Sequence, residues 1–193
     1  MAEPGVGCAR REQMTEDFRV AVDDRVIMFM DIHDFSIAVN TLGDNVYGFL
    51  QEVYEELGDI IVEHRGEIIK YMGDAILCVF PADSESQTIA CALGLRKAFS
   101  NAAREWGVPP DTELEIGIGS GRVTTGIFGH RSLRQKDVFG EEVNRVATIG
   151  HQRGIAITES VYDRVKTNYE TRKLPDFEVK WQDEPLGVWE VVE

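Results

Sequence analysis

The chain is short of positive charge: 20 lysines and arginines stand against 34 aspartates and glutamates, a formal net charge of -14 over 193 residues. Such a field repels phosphate, which argues against nucleic acid and anionic membrane surfaces as partners and means that a phosphate ligand needs a cation bridge. Cysteine is scarce and unpatterned. Cys8, Cys78 and Cys91 form no CxxC pair and no zinc-spaced cluster with histidine, which points to a reducing, cytoplasmic setting without structural disulfides. The four histidines, His33, His64, His130 and His151, show no HxxxH pairing and read as ordinary surface or interior residues without chemistry. No apolar run reaches the roughly 20 residues of a membrane span, and the N-terminus has no signal-peptide core.

What is present fits one soluble domain, with 43% hydrophobic and 28% charged residues. Residues 1–22 read as a polar tail or short leading helix and 23–193 as a single domain, without repeats or linkers. "RVIMFMD" (25–31) is an apolar run ended by an acid, the pattern of a strand buried on both faces. Over Asp44–His64, Val46, Phe49, Leu50, Val53, Leu57, Ile60 and Ile61 recur at helical spacing, and Gly66 reads as the stop. "EIIKY" and "AILCVF" flank Met72, Gly73 and Asp74 as a tight hairpin. A second helix is predicted over 84–106. "LEIGIGSG" and "VTTGIFG" read as a glycine-rich strand pair, "EEVNRVATIGHQ" as a helix, "GIAITES" as a strand entering a short helix, and "LGVWEVV" as a closing strand. The order β-α-β-β-α-β with a C-terminal αβ extension predicts an α+β, ferredoxin-like (split βαβ) fold.

In that fold the first strand and the hairpin lie side by side, so Asp31 and Asp74 converge. Two facing carboxylates raise each other's pKa unless a cation neutralises them. Hard oxygen ligands suit Mg²⁺ (or Mn²⁺), which takes its remaining ligands from water and substrate phosphate, and a two-ion site is compatible with such a pair.

These surroundings resemble the class III nucleotidyl cyclase catalytic domain, the family of adenylyl and guanylyl cyclases with a palm-like sheet. "MFMDIHDFS" (28–36) is similar to the first metal motif, with Asp34 where glycine is usual; "KYMGDAILCVF" (70–80) to the second; and "DVFGEEVNRVAT" (137–148) to Asp-x-x-Gly-x-x-Val-Asn. The resemblance covers about residues 25–192. It implies a homodimer with two shared sites, in which Asp31, the carbonyl of Ile32 and Asp74 of one protomer hold two metal ions. Lys70 and Asp137 of the other would read adenine, where guanylyl cyclases carry Glu and usually Cys. Lys70 and Asp74 would then serve opposite sites and need no partner in their own chain. Asn144 would orient the ribose, and Lys180 falls where a triphosphate-binding lysine is common.

One departure matters. Four residues after the asparagine the family normally has an arginine that neutralises the α-phosphate in the transition state, and this chain has Thr148. Arg145 lies about 100° around the helix from Asn144 and reads as solvated or paired with Glu141 or Glu142; Arg122, Arg131 or Arg134 could compensate. Loss of one preorganised donor slows catalysis by about 10² to 10³. The resemblance therefore implies a slow adenylyl cyclase making 3',5'-cyclic AMP and pyrophosphate from ATP. The alternatives are an inactive nucleotide-binding regulatory module or a cyclase using GTP or a pyrimidine triphosphate. The Gly-Gly-acid-Glu-Phe turn of diguanylate cyclases is absent. Regulatory input, whether in trans or from a lost segment, is not legible.

Overall fold

A computed structural model describes residues 20–179 and 181–192. An eight-stranded sheet is ordered β2 (Glu67–Met72), β3 (Ala75–Pro81), β1 (Ala21–Ile32), β4 (Leu114–His130), β6 (Ile155–Thr158), β8 (Val188–Val191), β7 (Thr171–Lys173), with β5 (Leu133–Phe139) paired to the C-terminal half of β4. Strand β1 (Ala21–Ile32) lies between β3 (Ala75–Pro81) and β4 (Leu114–His130), antiparallel to both. Its central residues are apolar without a break because both faces are covered. Val26, Met28, Met30 and Ile32 join one core with helices α2 (Val46–Glu63), α3 (Glu85–Trp106) and α5 (Glu159–Val165). Ile27 and Phe29 join a second core with Ile69, Leu77, Val79, Val123, Val138 and Val146, the last from helix α4 (Glu141–Ile149). Side chains alternate along a strand, so Asp31 shares the face of Ile27 and Phe29 and stands at the end of the second core. The split βαβ expectation holds, and the C-terminal extension is β6 (Ile155–Thr158), α5, β7 (Thr171–Lys173) and β8 (Val188–Val191).

Several elements differ from their sequence reading. The glycine-rich stretch is one 17-residue strand, β4, and its hairpin partner is β5 (Leu133–Phe139), which polar composition concealed. The glycines of β4 serve close packing instead of a turn. A Cβ at Gly117 would lie 2.5 Å from the Val146 carbonyl oxygen, and one at Gly119 2.4 Å from Glu142 Oε1, so their absence lets α4 rest directly on the sheet. Helix α1 (Phe35–Leu42) was not anticipated; it follows Asp34, a non-glycine residue in the left-handed region at φ 54°. Helix α2 ends through Arg65 at φ 62°, not through a left-handed Gly66. Gly66 is required for a different reason, since a Cβ there would sit 2.6 Å from Ile61 and the Phe80 ring.

The hairpin of β2 (Glu67–Met72) and β3 turns through two residues, Gly73 at φ 67° and Asp74, with Met72 paired to Ala75. A bulge between Ile68 and Lys70 interrupts β2: Ile68 pairs with Cys78 and Lys70 with Leu77. Paired residues share a face, and Leu77 belongs to the second core. The bulge therefore turns Lys70 away from α2 and α3 and toward the face that carries α4 and β5, the re-aiming for which bulges are used.

Candidate active site

The C-terminal end of β1 and the β2–β3 turn bring Asp31 and Asp74 together, as the topology predicts. Burial pushes the Asp74 carboxyl up to about 6; a hydrogen bond from its own backbone amide opposes the rise, and the Asp31 carboxyl reinforces it by charge and by a direct hydrogen bond. This is the signature of two acids sharing one site. The turn is braced from α2, where Tyr54 donates its hydroxyl to the Gly73 carbonyl and packs on Tyr71 with ring centroids 4.5 Å apart.

Two histidines expected to carry no chemistry are engaged here, His151 by Asp31 and His33 by the neighbouring acids Glu115 and Asp34. His151 places Nδ1 3.0 Å from Asp31 Oδ2. His33 bridges Glu115 Oε1 at 2.8 Å and Asp34 Oδ2 at 3.2 Å. Glu115, opposite Asp31 on β4, is raised by burial, with His33 opposing the rise. Spacing rules missed both histidines because Glu115, which engages His33, and Asp31, which engages His151, come from distant segments.

Whether this donor set suits a divalent cation follows from its chemistry. Two hard carboxylates are held in mutual repulsion and partly open to water, with Asp31 22% exposed, and a small hard cation would relieve that repulsion. Among the described residues no group of three His, Cys, Asp or Glu side chains is arranged to hold an ion. The acid pair therefore matches a metal that completes its shell with backbone, water and phosphate oxygens. The Ile32 side chain is buried among the helices, so only its backbone can face this site.

Lys70 and Asp137 are also brought together, and within one chain: Lys70 Nζ lies 2.9 Å from both carboxylate oxygens. Lys70, expected to need no partner in its own chain, has one in Asp137 on β5, to which the bulge on β2 delivers it. Asp137 Oδ1 also accepts from the Val138 amide at 2.9 Å, and Lys136 pairs with Glu67 alongside.

Asn144 and Thr148 stand one turn apart on α4. The Thr148 hydroxyl donates to the Asn144 carbonyl at 2.9 Å, bending back on its own helix. Arg145 does not take over the missing charge, because it is bound to Glu141, to Glu142 at 3.2 Å and to Gln182 at 3.1 Å. Arg122, opposite Asp24 on β1, and Arg131, in the β4–β5 turn, are both exposed. Lys180 lies outside the described residues.

A curled sheet with helices against it and an acid pair at the end of the inner strand β1 is the arrangement of a cyclase-type catalytic fold. Residues 20–190 match the family model described as the adenylate and guanylate cyclase catalytic domain, and the chain belongs to that family. It is 27% identical over 179 residues to adenylate cyclase 1 of Rhizobium meliloti, covering 86% of this chain and 27% of that protein. It is 27% identical over 201 aligned positions to an adenylate cyclase of Anabaena cylindrica, covering 96% of this chain and 38% of that one. The chain thus spans about a quarter to two-fifths of the length of these curated relatives. Among solved structures it is similar to the adenylyl cyclase CyaB of P. aeruginosa, with TM-score 0.81, 21% identity and coverage of 91% and 96% of the two chains. It is also similar to the guanylyl cyclase Cya2, with TM-score 0.78, 24% identity and coverage of 89% and 92%. No helix among the described residues is long and apolar enough to cross a membrane.

Proposed function

We propose that this domain is an adenylyl cyclase, converting ATP to 3',5'-cyclic AMP and pyrophosphate at sites shared by two copies of the chain. The observation that carries the reading is the Asp31–Asp74 pair, two acids whose mutual repulsion has no structural benefit without a cation. Family membership and adenylate cyclases among the relatives support it.

Asp31, the Ile32 carbonyl and Asp74 would hold two Mg²⁺ or Mn²⁺ ions. Bound there, the metal supplies Lewis-acid charge stabilisation at the attacking and leaving oxygens. The chain's own residues do the rest. Lys70 donates to a ring nitrogen of adenine and Asp137 accepts from its exocyclic amine, so the 2.9 Å ion pair is a preformed base reader. Asn144 holds the ribose so that its 3'-oxygen, having passed its proton to solvent water, attacks the α-phosphorus in line. The bond from that phosphorus to the bridging oxygen breaks and pyrophosphate leaves. Lys180 is assigned to the triphosphate. Thr148, its hydroxyl committed to the Asn144 carbonyl, adds no positive charge, and turnover is slow.

A second reading, a nucleotide-binding module without turnover, is favoured by one specific observation: the arginine that α4 does carry, Arg145, is tied to Glu141, Glu142 and Gln182. A GTP preference is raised by the likeness to a guanylyl cyclase and opposed by Lys70 and Asp137. Pyrophosphate release with Mn²⁺ and ATP, GTP, CTP or UTP, on wild type and Asp74→Ala, tests all three. Release from ATP above the other nucleotides, lost in the variant, supports the proposal. A folded dimer with no product removes it.

A further inference from the structure

His151 is more than half exposed, yet its ring is engaged twice. Nδ1 reaches Asp31 Oδ2 at 3.0 Å, and the imidazole meets Phe29 edge to face with centroids 5.4 Å apart and planes at 69°. Its placement follows from the residue before it. A Cβ on Gly150 would lie 2.5 Å from Phe29 Cδ1 and 3.0 Å from the Val146 carbonyl oxygen, so a residue without a side chain is needed for the chain leaving α4 to come this close to β1. Phe29 and Asp31 are two apart on one strand and share a face. The backbone that rests on Phe29 therefore delivers the next side chain to Asp31.

The consequence lies in how the Asp31 carboxylate is held. Oδ1 accepts from the Ile32 amide at 3.1 Å and Oδ2 faces the imidazole, so each oxygen has its own donor and the carboxylate plane is fixed. Each oxygen keeps a further lone pair, and Asp74 is near enough to interact with this carboxylate by charge and by hydrogen bond. A carboxylate's terminal torsion is otherwise broad, and a ligand free to rotate loses affinity for its ion. Partners that orient metal ligands from the outer shell are typically worth about 10- to 100-fold in metal affinity. The other histidine of the neighbourhood is occupied elsewhere, by Glu115 and Asp34.

We propose that His151 is a positioning residue for the metal site, its Nδ1–H setting the plane of Asp31 so that Asp31 and Asp74 converge on one cation. The inference rests on the reading of these acids as metal ligands. The neutral imidazole suffices as donor, so the role requires no change of charge.

The test is Mn²⁺ binding without nucleotide, measured by titration calorimetry or by loss of the free-ion electron paramagnetic resonance signal. Wild type, His151→Phe, His151→Ala, His151→Asn and Asp31→Asn are compared, with folding checked by circular dichroism. Phenylalanine keeps the packing on Phe29 and removes the donor; asparagine brings an amide nitrogen near the place of Nδ1. Mn²⁺ affinity is expected to fall about tenfold in His151→Phe and His151→Ala, to return to within about threefold of wild type in His151→Asn, and to be lost in Asp31→Asn. If Asp31→Asn loses the ion while folded His151→Phe or His151→Ala binds it as wild type does, or more tightly, His151 has no positioning role. Failure of His151→Asn to restore binding also overturns the donor assignment. If Asp31→Asn itself binds Mn²⁺ normally, the metal reading beneath the proposal fails instead.

Discussion

Lys70 on β2 and Asp137 on β5 meet at 2.9 Å through both carboxylate oxygens, although 67 positions separate them. Each is the other's partner until a base arrives, and the pair presents donors beside acceptors on one edge. If this pair reads adenine, replacing it with the guanine-type residues in Lys70→Glu/Asp137→Cys should lower kcat/KM for ATP and raise it for GTP. Two lost contacts at about 1–3 kcal/mol each multiply to roughly 30- to 10⁴-fold against ATP. The ratio of kcat/KM for the two nucleotides is the measurement; an unchanged ratio in a folded double variant would refute the base-reading role.

The Asp74 carboxyl, pushed up to about 6 from the ordinary 3.8, makes metal-free stability depend on pH with a definite sign. Between these values the native state binds more protons than the unfolded chain, so stability falls as pH rises from about 4 to 6 and is level above. For a group still open to solvent the effect is at most about 1–2 kcal/mol, or about 2–8 °C in melting temperature for a chain of this size. Mg²⁺ should recover that loss at pH 7.5 and do little at pH 4.5. Asp74→Asn should melt higher than wild type without metal at pH 7.5 and ignore added Mg²⁺. Melting curves at the two pH values, with and without the ion, decide it.

The strongly patterned parts of the fold were legible because burial dictates them. Only a strand covered on both faces reads Val-Ile-Met-Phe-Met, and only a helix spaces Phe49, Val53, Leu57 and Ile61 as α2 does. What escaped was set by contacts across the chain. The glycines of β4 look like a turn until α4 is seen resting on them. The bulge at Ile69 that swings Lys70 toward Asp137 leaves no mark in composition. His151 gains meaning from Phe29 and Asp31, which lie on another element. The acids were readable through topology, whereas their supporting contacts required the packing.

On α4 the Thr148 hydroxyl bonds to the Asn144 carbonyl, which is local backbone chemistry without charge. Thr148→Ala should therefore leave turnover within about twofold. Thr148→Arg should raise it by about 10² if an absent cation is the limiting defect, and arginine is also the better helix former. Product formation in a fixed-time assay with Mn²⁺ and ATP separates the cases. No gain in Thr148→Arg, with nucleotide binding intact, would favour the module without turnover.

The seat of α4 on the sheet links fold to chemistry most directly. A methyl group at position 117 would come within 2.5 Å of the Val146 carbonyl oxygen and 2.8 Å of the Gly150 nitrogen, both backbone atoms that cannot rotate away. Gly117→Ala must then lift the C-terminal half of the helix from β4, and overpacking of this kind costs about 1–3 kcal/mol. The displaced segment carries Thr148 and leads into His151, while Lys70 on β2 and Asp74 in the β2–β3 turn would stay in place. Metal affinity should therefore fall through the shifted contact to Asp31, and the ATP-to-GTP preference should survive. A melting curve lowered by about 2–12 °C, together with Mn²⁺ binding and the nucleotide ratio on the same variant, would show whether the helix position governs one end of the site without the other.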